Sequence, residues 1–146
     1  RDPKKYVFMG DSYGDGYTPD GQVTSWITLL VNKLNLTSSQ YISVHQGGYR
    51  FAYSSEYNFI SLLNNLDDDN DLTDMYVCGG YNDFSSSQAD INLGITNFYN
   101  LFKTKFPNAK LHIGFIGWTK NGENIRKLAS VFYYYKNTCD NLEIDF

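Results

Sequence analysis

The chain has 146 residues, 42% hydrophobic and 19% charged, with 16 acidic and 12 basic side chains and a net charge of −4. That length supports one domain, spanning 1–146, with a core that buries roughly 70% of the unfolded surface. The acidic balance excludes a nucleic-acid binder, which needs a basic patch, and no apolar run nears the ~20 residues required to cross a bilayer. No leader is legible, so a soluble domain is expected whose compartment, bacterial cytoplasm or secreted, stays open.

Strand and helix signals alternate along the chain. Lys5 to Met9 is an apolar strand, and Ser25 to Leu36 is a helix with Trp26, Leu29, Leu30 and Leu34 on one face. Tyr41 to His45 is a second strand. Glu56 to Leu66 is a second helix, carrying Phe59, Leu62, Leu63 and Leu66 at helical spacing. Asp74 to Cys78 is a third strand that ends in Gly79-Gly80. Ala89 to Phe106 is the longest helix, with Ile91, Ile95, Phe98, Phe102 and Phe106 inward, and Pro107 stops it. Lys110 to Gly117 is a fourth strand. Asn121 to Asn137 is a fourth helix with Ile125, Leu128, Ala129 and Phe132 on its stripe, and Leu142 to Phe146 opens a fifth strand.

This alternation predicts right-handed crossovers and a parallel sheet between helix layers. Ligands of such sheets sit beyond the carboxyl ends of the strands. That edge reads Gly10-Asp11-Ser12 after the first strand and Gln46-Gly47-Gly48-Tyr49 after the second. It continues with Gly80-Tyr81-Asn82-Asp83 after the third and Gly117-Trp118-Thr119 after the fourth.

A serine released from a buried strand into a glycine-rich turn can be held rigidly and still be exposed. Acyl transfer needs a nucleophile, a base and donors to the oxyanion. Ser12 supplies a hydroxyl and a backbone N–H, a glycine N–H in the second loop is an unobstructed donor, and Asn82 offers an uncharged amide. Taken singly, each has a plainer reading as a turn former, and Gly47-Gly48 alone reads equally as flexibility. Their occurrence together, each after its own strand, favours chemistry.

Gly10-Asp11-Ser12, Gly47-Gly48 and Gly80-Tyr81-Asn82-Asp83 resemble, in order and distance, the blocks of the SGNH (GDSL) hydrolases, over residues 5 to 120. The resemblance implies a three-layer α/β/α sandwich with a parallel, flavodoxin-like sheet of order 2-1-3-4-5, the fifth strand missing or truncated here. It implies ester hydrolysis through a serine acyl-enzyme, without cofactor or metal, on a small or carbohydrate-borne ester. By the same resemblance Ser12 is the nucleophile, and Gly48 and Asn82 complete the oxyanion hole. Asp11, Tyr13, Gly47 and Trp118 are expected to line the substrate. The second block is a loose match, because Tyr49-Arg50-Phe51 follows the glycines.

The family's D-x-x-H block, which brings the triad's acid and base, has no counterpart. The only histidines are His45 and His112. His112 lies within an apolar strand and reads as a satisfied structural histidine, whereas His45 ends the second strand on the functional edge and could act as the base only within reach of Ser12. The chain therefore reads as a C-terminally truncated domain, or as a non-catalytic binding domain for a carbohydrate or ester. A flavin or nucleotide site is disfavoured, since neither G-x-G-x-x-G nor a P-loop lysine is present.

Asp67-Asp68-Asp69-Asn70-Asp71 lacks the glycine and glutamate of a calcium loop and reads as a solvated acidic turn. Asp11 and Asp15 are expected to organise the serine loop by accepting backbone N–H bonds, and Tyr133-Tyr134-Tyr135 to end an amphipathic helix. Cys78 reads as a small buried thiol and Cys139 as lying in a polar region, and a bond between them is left open. The tyrosine content (13 residues) leans toward a polar, sugar-like ligand.

Overall fold

The computed structural model describes residues 4–146. Four parallel strands form the sheet: β1 (Tyr6–Gly10), β4 (Tyr41–His45), β5 (Asp74–Gly80) and β6 (Lys110–Ile116). A short antiparallel hairpin, β2 (Tyr17–Thr18) and β3 (Gly21–Gln22), lies between β1 and the first helix. The helices are α1 (Trp26–Lys33), α2 (Phe59–Asn64), α3 (Gln88–Lys105) and α4 (Gly122–Leu142). The sheet order is β4-β1-β5-β6, which is the expected 2-1-3-4 among the parallel strands.

Alternation along each strand divides the sheet into two faces. Val7, Met9, Met75, Val77, Leu111 and Ile113 point to the face covered by α2, α3 and α4, where the main core lies. Tyr6, Phe8, Tyr41 and Tyr76 point to the other face, where α1 packs Trp26, Ile27, Leu30 and Val31 against them. α1 covers β1 and β4. The β5 and β6 residues on its side, Tyr76, Cys78, His112 and Gly114, stay half-buried.

The stripe of α3 is as predicted, with Ile91, Ile95, Phe98 and Phe102 buried. The stripe of α1 is corrected: Leu29 is 57% exposed and Leu34 is also exposed, because a helix over the sheet margin has a partner on only one side. α4 runs five residues past the predicted Asn137. Its buried positions are Leu128, Val131, Tyr135, Thr138 and Cys139, whereas Ile125 is 49% exposed and Phe132 is exposed too. Cys139 is thus a core residue, and both cysteines are free thiols. Burial pushes each thiol up to about 12, which makes both poor nucleophiles.

Leu142 still belongs to α4, and among the described residues strand pairing at the outer β6 edge is limited to one parallel bridge, His112 with Asp145, where Ile113 N–H donates to the Asp145 carbonyl (2.9 Å). His112 is held on both ring nitrogens, by Asp145 (2.5 Å) and Asp74 (2.9 Å), and stacks on Tyr76. This is the structural histidine expected from the sequence. The His112 hydrogen bond holds the Asp145 carboxyl below its ordinary value, so the contact stabilises the fold at neutral pH and is lost as pH falls through that lowered value. Among the described residues no helix is long and apolar enough to cross a membrane, and the acidic turn pairs through Asp69 and Asp71 with Lys5 and through Asp68 with Lys105.

One close approach fixes how α3 meets the loop before α2. A Cβ on Gly94 would stand 1.6 Å from the Phe51 carbonyl oxygen and 2.7 Å from its carbon. Gly94→Ala gains about 1 kcal/mol of helix propensity but forces backbone apart, and overpacking of this kind costs more. We expect a net loss of about 2–3 kcal/mol, read as a fall in Tm of roughly 5–10 °C. An unchanged Tm would contradict this packing.

Candidate active site

Ser12 occupies the first position of a 3₁₀ turn, Ser12–Asp15, that follows β1 directly. Asp11 caps the turn: its Oδ1 accepts from Tyr13 N–H at 2.9 Å. A first-position N–H has no acceptor within its own turn, and among the described residues the Ser12 amide donates to no protein acceptor. The Ser12 side chain is half-buried.

The loop after β4 lies alongside. Gln46 N–H donates to Gly10 O (3.1 Å), and a Cβ on Gly47 would stand 3.9 Å from Ser12 Cβ. Gly48 has φ +83°, a left-handed conformation that glycine adopts without strain. Open space surrounds its Cβ position. Its carbonyl accepts from Arg50 Nε and Nη2, each at 3.3 Å. Arg50, which makes the second block a loose match, therefore pins this turn. Among the described residues neither the Gly47 nor the Gly48 N–H donates to a protein acceptor.

β5 delivers the third element, a 3₁₀ turn at Tyr81–Asp83. Asn82 Nδ2 donates to Tyr49 O (3.0 Å) and to Asp11 Oδ2 (3.4 Å), which ties three loops together. Asp83 is fully buried and accepts from Phe51 N–H (3.0 Å), Ala52 N–H (3.1 Å), Ser86 Oγ (3.1 Å) and Tyr135 Oη (2.5 Å). After β6, the Trp118 carbonyl accepts from the Tyr13 hydroxyl at 2.5 Å. The Trp118 side chain is 60% exposed and flanks an apolar groove of about 530 Å³ lined by Phe115, Ile125, Leu128 and Phe132.

The structure thus brings Ser12, Gly47, Gly48 and Asn82 to one edge of the sheet. Asp11 (0% exposed) and the buried Tyr13 lie beneath that edge, out of reach of a substrate, and the expectation that they line it is corrected. Both are committed to internal hydrogen bonds, which suits Asp11 to organising the turn. Sequence reasoning missed Tyr135 as the partner of Asp83. The spacing of Leu128, Val131, Tyr135 and Cys139 carried that signal, since it puts Tyr135 on the buried face of α4.

Neither histidine is paired with Ser12. His45 Nδ1 pairs with Asp15, and its ring lines a groove with Gly14, Ser25, Thr28 and Ser43, on the α1 side of the turn. His112 is the third residue of β6, toward the amino ends of the strands. Among the described residues no histidine hydrogen-bonds to Ser12.

Burial is the main reason the Asp11 carboxyl is pushed up from 3.8 to about 7, helped by the nearby Asp83 and Asp15 charges and opposed by its backbone hydrogen bonds. Burial also pushes Asp83 up, against the pull of its four donors. Raised carboxyls bind protons more tightly folded than unfolded, so stability is greatest below the ordinary carboxylate range and falls as pH rises through the folded values. The urea midpoint is expected to be higher at pH 5 than at pH 8, and Asp11→Asn is expected to flatten that slope. A midpoint that rises from pH 5 to pH 8 would contradict the burial of these acids.

Neither a protein-family model nor a curated protein matches the chain. Solved structures do. A carbohydrate acetylesterase family member from Sinorhizobium meliloti superposes with a TM-score of 0.72 at 20% identity, over 97% of this chain and 81% of that one. The aryl esterase of M. smegmatis gives 0.74 at 17% identity, over 99% and 83%. A structure described as a lipolytic protein of the G-D-S-L family from Desulfitobacterium hafniense gives 0.68 at 12% identity, over 98% and 75%.

Proposed function

We propose, with the SGNH (GDSL) hydrolase fold shown by these likenesses as the premise, that the site is that of a serine ester hydrolase. The observation that carries the reading is the convergence of Ser12 with unengaged Ser12 and Gly48 N–H groups and the Asn82 amide at one strand edge. Ser12 Oγ attacks the ester carbonyl carbon and passes its proton to a base. The Ser12 N–H, the Gly48 N–H and Asn82 Nδ2 hold the oxyanion. Collapse expels the alcohol, and water then cleaves the acyl-serine. Each oxyanion donor contributes roughly 3 kcal/mol in the transition state.

Neither histidine is assigned as the base in this reading, because His45 Nδ1 pairs with Asp15 and His112 is held by Asp74 and Asp145. Among the described residues β6 has a single bridged residue on its outer edge, and the chain covers 81% and 83% of two superposed esterases. The substrate class proposed is a small or carbohydrate-borne ester. Exposed Trp118, Tyr17, Tyr53 and Tyr57 provide aromatic surface suited to sugar faces, and a superposed protein is a carbohydrate acetylesterase by its description.

The test is hydrolysis of p-nitrophenyl acetate by the protein, with mass-spectrometric mapping of a serine-directed phosphonate. Turnover with label on Ser12 is expected. A folded protein that neither turns over the ester nor labels at Ser12 overturns the reading. It would leave the second one, a binding domain for the same ligands, which the engagement of His45 by Asp15 and of His112 by Asp74 and Asp145 favours.

A further inference from the structure

The Asn82 amide has two hydrogens, and in this structure both are taken. One goes to the Tyr49 carbonyl at an ordinary distance (3.0 Å), the other to Asp11 Oδ2 at a long one (3.4 Å). An oxyanion beside Ser12 must displace one of these acceptors, and the Asp11 contact is the weaker. Asp11 also caps the turn that carries Ser12, so the same carboxyl touches the nucleophile's turn and the amide donor. We infer that Asp11 is a positioning residue that decides whether an Asn82 hydrogen is free for an oxyanion: the ionised carboxylate keeps it, the neutral acid releases it.

The physical basis is acceptor strength. A carboxylate accepts a much stronger hydrogen bond than a neutral carboxyl, and a buried negative charge beneath the site also opposes a second one forming above it. The groups facing Asp11 are those of each packed element. Asp15 and Tyr13 lie on its own turn, Asp83 on the turn after β5, Cys78 on β5 and Tyr135 on α4. Arg50, the cation of the adjoining loop, is engaged by the Gly48 carbonyl. The acids among them favour the neutral form of Asp11, and its change of state falls near neutrality. The consequence for catalysis rests on the ester-hydrolase reading; the coupling of the two side chains does not.

The coupling is measured without turnover, by NMR of the isotope-labelled chain between pH 5 and pH 9. The Asn82 side-chain amide and the Asp11 carboxyl carbon are expected to titrate with one shared midpoint of about 7. Asp11→Asn abolishes the Asn82 titration, and Asp15→Asn retains it. An Asn82 amide that stays flat through the Asp11 midpoint, or that follows the Asp83 carboxyl instead, overturns the inference. If Asp11→Asn does not fold, the two wild-type titrations decide alone. Failure of Ser12 to label, with the shared midpoint present, removes the hydrolase reading and leaves the coupling. Labelling with a flat amide does the reverse.

Discussion

Replacing Ser12 by alanine in the polypeptide that hydrolyses p-nitrophenyl acetate is expected to lower kcat by roughly 10⁴- to 10⁶-fold, with the fold unchanged. The half-buried Ser12 side chain carries no core packing, so circular dichroism and Tm stay at wild-type values. Asn82→Ala is expected to act one level down, lowering kcat by roughly 10²–10³ with little change in KM, since an oxyanion donor acts on the transition state rather than on bound ester. Equal losses for the two variants would mean that Ser12 works only by shaping the turn. Full activity in Ser12→Ala would transfer the chemistry elsewhere.

The second large effect is structural. Asp83→Ala strips the acceptor from two buried backbone amides, Phe51 and Ala52, and from the buried Tyr135 hydroxyl. Unpaired buried donors cost about 1–3 kcal/mol each, and breaking a buried charged network costs about 3–5 kcal/mol. Against a total stability of roughly 5–15 kcal/mol, a loss of about 4 kcal/mol brings the domain near its unfolding threshold. Asp83→Asn keeps one acceptor oxygen and is expected to lose about half as much. Tyr135→Phe removes one donor and is expected to cost about 1–2 kcal/mol. Urea denaturation ranks the three. A loss below about 1 kcal/mol for Asp83→Ala would show that water replaces the carboxylate, contrary to its burial.

These sites show where the sequence was readable. The loop residues were, because a glycine, serine or asparagine directly after an apolar strand marks the carboxyl edge of a parallel sheet. Ser12, Gly48 and Asn82 each stand there for that reason. The α3 stripe was readable because α3 packs against both neighbouring helices and the sheet, so its period survives over 18 residues. Leu29 and Leu34 misled because α1 sits on one margin of the sheet, where an apolar residue need not be inward. In α4 the predicted stripe of Ile125, Leu128, Ala129 and Phe132 has only Leu128 buried, and the core side is set farther along by Val131, Tyr135 and Cys139. The hairpin at Tyr17–Gln22 has two-residue strands, too short to show a period. The Asp83–Tyr135 bond joins positions 52 residues apart: the α4 spacing marks Tyr135 as buried, but not Asp83 as its partner.

The two tryptophans lie in unlike surroundings. Trp26 lies against Gly10 and Phe8, and its indole N–H is buried with no hydrogen-bond partner among the described residues. Trp118 stands in solvent on the loop whose carbonyl holds Tyr13. Intrinsic fluorescence therefore contains a shielded emitter and a quenchable one. Acrylamide silences Trp118 first, while Trp26 reports on the strand end beneath the serine. A ligand seated at the strand edge would alter the quenchable fraction alone, and unfolding would merge the two, so the chain carries its own optical reporter for binding and for stability in one spectrum.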